Sequence, residues 1–320
     1  SHKNLNKACI KKHAFSTQIA STNEQNIQNN NWIFMKLWLK NPLSILAENA
    51  GGGIVVEGTS IVELVPSGAQ PSLPFDSVFD ASSHIILPGL INLHHHFYQT
   101  LTRVFPAALN KDLFPWLKTL YPIWAKLSPE ALRLGTRLAL AELLLSGCTT
   151  TSDHHYIFPS GLEKAIDWQV EEAQLLGIRV VLCRGSMDRS QKDGGLPPDS
   201  VVQTSDEILE DSERLINKYH NSNEGAMTQI ALAPCSPFSV SEKVMHESSK
   251  LSKKHSVLLH THLAETDDEN SFCLEKMGCR PLEYLEQVGW LTNRTWLAHG
   301  IHFTDKEIQK LGASKTGLAH

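Results

Sequence analysis

Three consecutive histidines, His94, His95 and His96, follow the short apolar run at residues 87–93. Side chains two apart on a strand share a face, so His94 and His96 aim at one point while His95 faces away. Two imidazoles converging at the end of a strand make half of a zinc-type site. A histidine cluster on a solvated loop is the duller alternative, and two further histidine motifs downstream speak against it. His260-Thr261-His262-Leu263-Ala264-Glu265 again ends an apolar run with two histidines on one face. One of them can ligate while the other packs or orients. Glu265, just past the strand end, is placed to shuttle protons beside a metal, although alone it would read as a surface carboxylate. Leu297-Ala298-His299-Gly300 ends the next apolar run, and His299 is a candidate to bind or deprotonate a nucleophilic water. His302 reads as an incidental neighbour. Asp153-His154-His155 is expected to supply shape and hydrogen bonds rather than coordination.

These parts permit hydrolysis. A zinc-type cation lowers the pKa of water towards ~7, an electron-poor carbon is attacked, and an acid protonates the ring nitrogen or leaving amine. Glu265 is the chosen acid, with His299 polarising the water. A cytidine-deaminase-type centre is excluded, because it needs P-C-x-x-C and Pro234-Cys235 is followed by Ser236, Pro237 and Phe238.

The elements that must position these groups are legible as a repeat. Apolar strands are predicted near residues 90–96, 149–154, 178–184, 227–234, 256–262 and 294–299, with another beginning at 316. Amphipathic helices lie between them; one is predicted over 129–146, with Ser128 as N-cap, Pro129 at its first position and Gly147 beyond its end. Six to seven βα units imply a parallel sheet of the α/β class and point to an eight-stranded (β/α) barrel. Chemistry in such a barrel gathers at the C-terminal ends of strands, where every histidine motif falls. No Gly-rich phosphate loop follows any strand, which disfavours a nucleotide-binding sheet. Residues 35–84 read as part of a small β domain, and 85–320 as the barrel. Residues 1–34, rich in Asn, Gln, Lys and Ser, are expected to be a disordered or non-native extension, with a weak transit-like segment as the alternative.

Composition bounds the partners. The chain has 320 residues, 41% hydrophobic and 20% charged, with a formal net charge of -5. That mild acidity, without a basic stripe, argues against nucleic acid, and no apolar run approaches the ~20 residues that span a bilayer. Six cysteines with no C-x-x-C pair read as reduced, packed thiols of an intracellular, cytoplasmic protein.

The motifs at 88–103, 260–265 and 297–300 resemble the amidohydrolase superfamily, specifically its aminohydrolase branch, in that family's order and spacing. The resemblance runs from Met35 onward. It implies a TIM-like (β/α)8 barrel with a small flanking β-sandwich, and one divalent metal, usually Zn2+, with Fe or Mn also suited to such donors. It makes His94, His96 and His262 metal ligands, and Glu265 and His299 catalytic. Gln99 lies where guanine-acting members carry a glutamine that contacts the purine. Arg184 is a further substrate contact, or else a rim salt bridge. Trp116 and Trp124 are placed to stack on a flat ring, with core packing the plainer job. Finer features imply deamination of an oxidised purine, 8-oxoguanine to urate and ammonia. An s-triazine or isocytosine-like substrate losing an amine or halide is the alternative, and a non-catalytic remnant the third. The small-molecule substrate is the implied partner, with no nucleic acid and no membrane; a homo-oligomer stays open. The family takes a last ligand, an Asp, from the eighth strand, whereas residues 316–320 fall in the seventh. A C-terminally truncated fragment, inactive alone and covering about strands 1–7, is therefore expected.

Overall fold

The structure, a computed structural model, describes residues 35–320; the extension read at 1–34 lies outside the described residues. The chain divides into two units, the first ending at Pro88 and the second running from Gly89 to His320.

In the first unit, short strand-like runs separated by Gly and Pro turns form β1 (Lys36–Lys40), β2 (Ser44–Ile45), β3 (Gly53–Glu57), β4 (Ser60–Val65), β5 (Ser77–Asp80) and β6 (Ile85–Ile86). One sheet has the order β4-β3-β1-β5, and β2 pairs with β6. Gly53 sits at φ +110°, and a Cβ there would collide with the Leu39 carbonyl oxygen, so the β1–β3 pairing requires glycine. Trp38, Val55 and Val65 form this unit's core.

The second unit is the expected repeat. Its seven strands are β7 (Leu90–Asn92), β8 (Cys148–His155), β9 (Arg179–Ser186), β10 (Thr228–Pro234), β11 (Leu259–Leu263), β12 (Thr295–His299) and β13 (Gly317–Ala319). They lie side by side in sequential order, every neighbouring pair parallel, and curl into a half-barrel. Among the described residues, β7 and β13 are the edges of this sheet. The connecting helices are α1 (Leu113–Trp124), α2 (Pro129–Leu145), α3 (Ala165–Leu176), α4 (Ser205–Tyr219), α5 (Glu242–His255), α6 (Asp267–Met277), α7 (Pro281–Gln287) and α8 (Asp305–Ser314). As read from sequence, α2 starts with Pro129 behind a Ser128 side chain that accepts from the Ala131 N–H, and Gly147 turns away at φ +89°. Such a cap contributes about 1 kcal/mol.

Strand alternation sorts the two faces. On β9, Val180 and Leu182 pack into the large core shared with the helices. Cys183, Ala231 and Ala233, with Val181 and Trp296 against them, make a separate small cluster. Small side chains on that face leave room for the imidazoles. Cys148, Cys183, Cys235, Cys273 and Cys279 are free and buried. Among the described residues, no helix is long and apolar enough to cross a membrane.

One boundary differs from the sequence expectation. β7 ends at Asn92, so the histidine triplet lies beyond the strand rather than on it. The Asn92 side chain accepts from the His94 N–H, turning the chain out of the ladder. The main chain at His95 instead meets the end of β8, where its carbonyl accepts from the His154 N–H at 2.7 Å. His94 and His96 still converge, with ring centroids 4.8 Å apart.

Candidate active site

β7, β8, β11 and β12 deliver their histidines to one place. Ligand atoms of His94, His96 and His262 lie within 4.8 Å of one another. The hydrogen bonds around them fix where their protons sit. His96 Nδ1 donates to the His154 carbonyl and His262 Nδ1 to the Cys235 carbonyl, both at 2.7 Å. A carbonyl only accepts, so in both neutral rings the proton is on Nδ1 and Nε2 carries a bare lone pair. Burial holds both rings neutral: it pushes His96 down to about 3 and His262 well below the ordinary imidazole value. Yet the two Nε2 atoms are only 3.1 Å apart. Two lone pairs face each other with no proton between them. His94 Nε2, also buried, has no hydrogen-bond partner at all. Three neutral nitrogen donors around one point, two of them held against their mutual repulsion, fit a divalent cation of the zinc class. A second trio, His94, His154 and His260, lies beside the first and shares His94.

The exits of β11 and β12 place the acid–base pair. Leu263 and His299 are register partners. The residue just after β11, Ala264, turns left-handed at φ +54°, and His299 itself sits at φ +75°. A non-glycine residue in that region costs of order 1–3 kcal/mol, and the surroundings hold both turns. Gly300 N–H donates to the Leu263 carbonyl, and His302 N–H to the Ala264 carbonyl. The buried Glu269 carboxylate accepts from the N–H groups of Ala264 and Glu265 at 3.1 and 3.0 Å. The result brings Glu265 Oε2 to 3.6 Å from His299 Nε2. Desolvation pushes the Glu265 carboxyl up to about 7 and lowers His299.

These groups open onto a cavity of about 490 Å³. His94, His96, His262, His299, Glu265 and Gln99 line its polar side, and Phe105, Leu109, Leu113, Trp116, Leu117 and Phe238 its apolar side. Gln99 Nε2 donates to the hydroxyls of Tyr98 and Tyr156 at 3.3 and 3.2 Å, which aims the amide. Trp116 faces the cavity. Trp124 does not: it is buried against Trp116 and Tyr98, with its indole N–H on Thr102.

Arg184 is not brought to the cavity. It shares the strand parity of Val180 and Leu182 on β9, so it points to the helices. There it is 1% exposed, pairs with Asp211 at 2.8 Å, donates to Gln203 and stacks on Phe158. His302 pairs with Asp267 at 3.2 Å, outside the cavity lining. One carboxylate, Glu269, escaped the sequence reading. Asp153, expected there to supply hydrogen bonds, is fully buried and accepts from the Phe97 N–H and from Gln169 of α3 at 2.6 Å each, anchoring the chain just after the histidine triplet. Its neighbour His154 is on the opposite strand face, among the imidazoles.

Known proteins resemble this chain in sequence and in fold. Residues 85–320 match the profile of the amidohydrolase family. The chain is 58% identical over 288 residues to a protein described as 8-oxoguanine deaminase from Pseudomonas aeruginosa, covering 89% of this chain and 64% of that protein. It is 36% identical to hydroxydechloroatrazine ethylaminohydrolase from Pseudomonas sp. strain ADP, covering 73% and 49%. The chain thus spans less than two thirds of these relatives' length. Among solved structures, the atrazine chlorohydrolase of Arthrobacter aurescens TC1 complexed with zinc superposes with a TM-score of 0.81 at 27% identity, covering 90% of this chain and 65% of that one.

Proposed function

Since the chain belongs to the amidohydrolase family, whose members are metal-dependent hydrolases, we propose that it serves a zinc-dependent deaminase of an oxidised purine. The reaction is 8-oxoguanine plus water to urate plus ammonia. The single observation that carries the chemistry is the placement of Glu265 and His299, 3.6 Å apart, beside three converging neutral imidazoles. The 58% identity to an 8-oxoguanine deaminase supports the choice of ring.

His94, His96 and His262 would hold the cation, which when bound makes water a nucleophile near neutral pH by lowering its pKa to about 7. Glu265, with a carboxyl pushed up to about 7, can take a proton at Oε2 and return it to a ring nitrogen or the departing amine. His299, held mostly neutral by burial, polarises the attacking water from the facing side. The apolar wall excludes bulk water and packs on a flat ring. Gln99 offers an amide, donor and acceptor together, to a lactam edge. Arg184, proposed on sequence as a contact, acts in this arrangement through the fold. Five buried free cysteines support a cytoplasmic setting.

An s-triazine substrate is the second reading, favoured by the likeness to the triazine-acting structure. Ammonia release by the full-length gene product from a panel of 8-oxoguanine, guanine, isocytosine and amino-triazines tests both. Turnover of 8-oxoguanine well above the others is expected; a faster triazine would replace the substrate and keep the class.

A further inference from the structure

Of the three imidazoles around the cation point, His94 alone has its second nitrogen met by a side chain rather than a backbone carbonyl. That partner is His260, whose Nε2 lies 2.8 Å from His94 Nδ1. The geometry points to His260 as a positioning residue that locks His94 in its Nδ1–H form and thereby delivers the bare Nε2 of His94 to the metal. This rests on the metal-site reading and adds a residue to it.

The proton assignment follows from one fixed end. His260 Nδ1 lies 2.8 Å from the Trp296 carbonyl oxygen, which can only accept, so His260 carries its proton on Nδ1. His260 is wholly buried, and its Nε2 faces another imidazole rather than a carboxylate that would hold a second proton on the ring. Its Nε2 is therefore an acceptor. A nitrogen 2.8 Å away must supply the proton, so His94 donates from Nδ1 and is left with a lone pair on Nε2. That is the atom found buried and without a partner. The relay runs from a carbonyl through two rings to the cation point.

Trp296 braces the relay from both sides. Its indole ring stacks on His260 with centroids 4.3 Å apart and planes 13° from parallel. Its Nε1 donates to the carbonyl of Leu93, the residue before His94, at 3.0 Å. One β12 residue thus fixes the acceptor ring and the backbone of the donor ring.

The inner trio of His94, His154 and His260 admits another reading, a second cation site. His154 donates from Nε2 to the Ala233 carbonyl, leaving its Nδ1 bare. The 2.8 Å approach of His94 to His260 is that of a hydrogen bond, and a donating His94 Nδ1 has no lone pair for an inner cation. The inner trio is support for the outer one.

Long-range 1H–15N correlation on 15N-histidine-labelled, metal-free protein reads the tautomer without activity, and chelator competition reads zinc affinity and stoichiometry. The expected result is an Nδ1–H signal for His94 and one zinc per chain. Removing a support of this kind typically costs 10–100-fold in metal affinity, so His260→Leu should weaken zinc by that factor and give His94 a mixed tautomer. His260→Gln, whose amide oxygen can still accept, should recover most of both. A metal-free His94 protonated on Nε2, a His260→Leu variant that binds zinc as tightly as the native chain, or two tight zinc ions would each overturn the proposal. Should His260→Leu not fold, the native tautomer decides alone. A native chain that binds no zinc yet keeps the His94 tautomer would defeat the metal-site reading and leave the His260–His94 relation standing.

Discussion

Glu265 Oε2 lies 3.6 Å from His299 Nε2, although the two residues leave different strands through adjacent left-handed turns. The distance is close enough for a water or substrate atom to touch both. Glu265→Gln keeps the shape and removes proton transfer, so turnover should fall by roughly 10²–10⁴-fold, the usual contribution of a positioned acid–base. Zinc content measured on the same samples should not change. A variant that retains more than a tenth of native ammonia release would remove Glu265 from the mechanism.

Gln99 is aimed by two tyrosine hydroxyls. Gln99→Leu should raise KM for a lactam-bearing ring about tenfold, the value of one good hydrogen bond, with a smaller change in kcat. Steady-state kinetics on 8-oxoguanine decide it; an unchanged KM means the amide does not touch the ring.

The buried Arg184 pairs with the half-buried Asp211 on the helix side of β9, and Asp211 also holds Arg214. Arg184→Met removes the guanidinium's bonds to Asp211 and Gln203 and should cost about 1–3 kcal/mol in urea unfolding, while KM stays within twofold of native. A raised KM with unaltered stability would return Arg184 to the substrate.

Asp153 is pushed up to about 7 by burial, against about 3.9 in an unfolded chain. The folded state then holds a proton that the unfolded state releases, so the native chain loses stability as pH rises from about 4 through 7. The buried imidazoles, His96 and His260 among them, are depressed to about 3 and act in the opposite sense, losing stability as pH falls below about 6.5. Comparing native protein with Asp153→Asn cancels those histidines. Whatever its offset at pH 5, the variant should gain on the native protein by pH 8; a difference independent of pH would show that Asp153 is not protonated in the fold.

Much of the fold was legible because a βα repeat writes itself locally. Strand-like runs marked all seven strands, and Ser128, Pro129 and Gly147 bounded α2. His94, His96 and His262, the set that the resemblance implied, lie together, even though the triplet had already left the strand. Arg184 shows what a strand end leaves open: it offers two faces, and alternation points residue 184 to the helices, where it makes the salt bridge that was the alternative. Glu269 was hidden for another reason. It works by accepting from backbone N–H groups brought to it by the chain's folding, and no residue type in the sequence announces such a partner.

The carbonyls of residues 154, 235 and 296 hold the outward nitrogens of His96, His262 and His260. Every amino acid brings the same carbonyl, so drift at position 235 can alter a side chain while the anchor endures. Phe105, Leu109, Leu113 and Phe238 on the opposite wall enjoy no such insulation. A lineage can therefore reshape that wall around a new heterocycle and inherit its cation cradle intact.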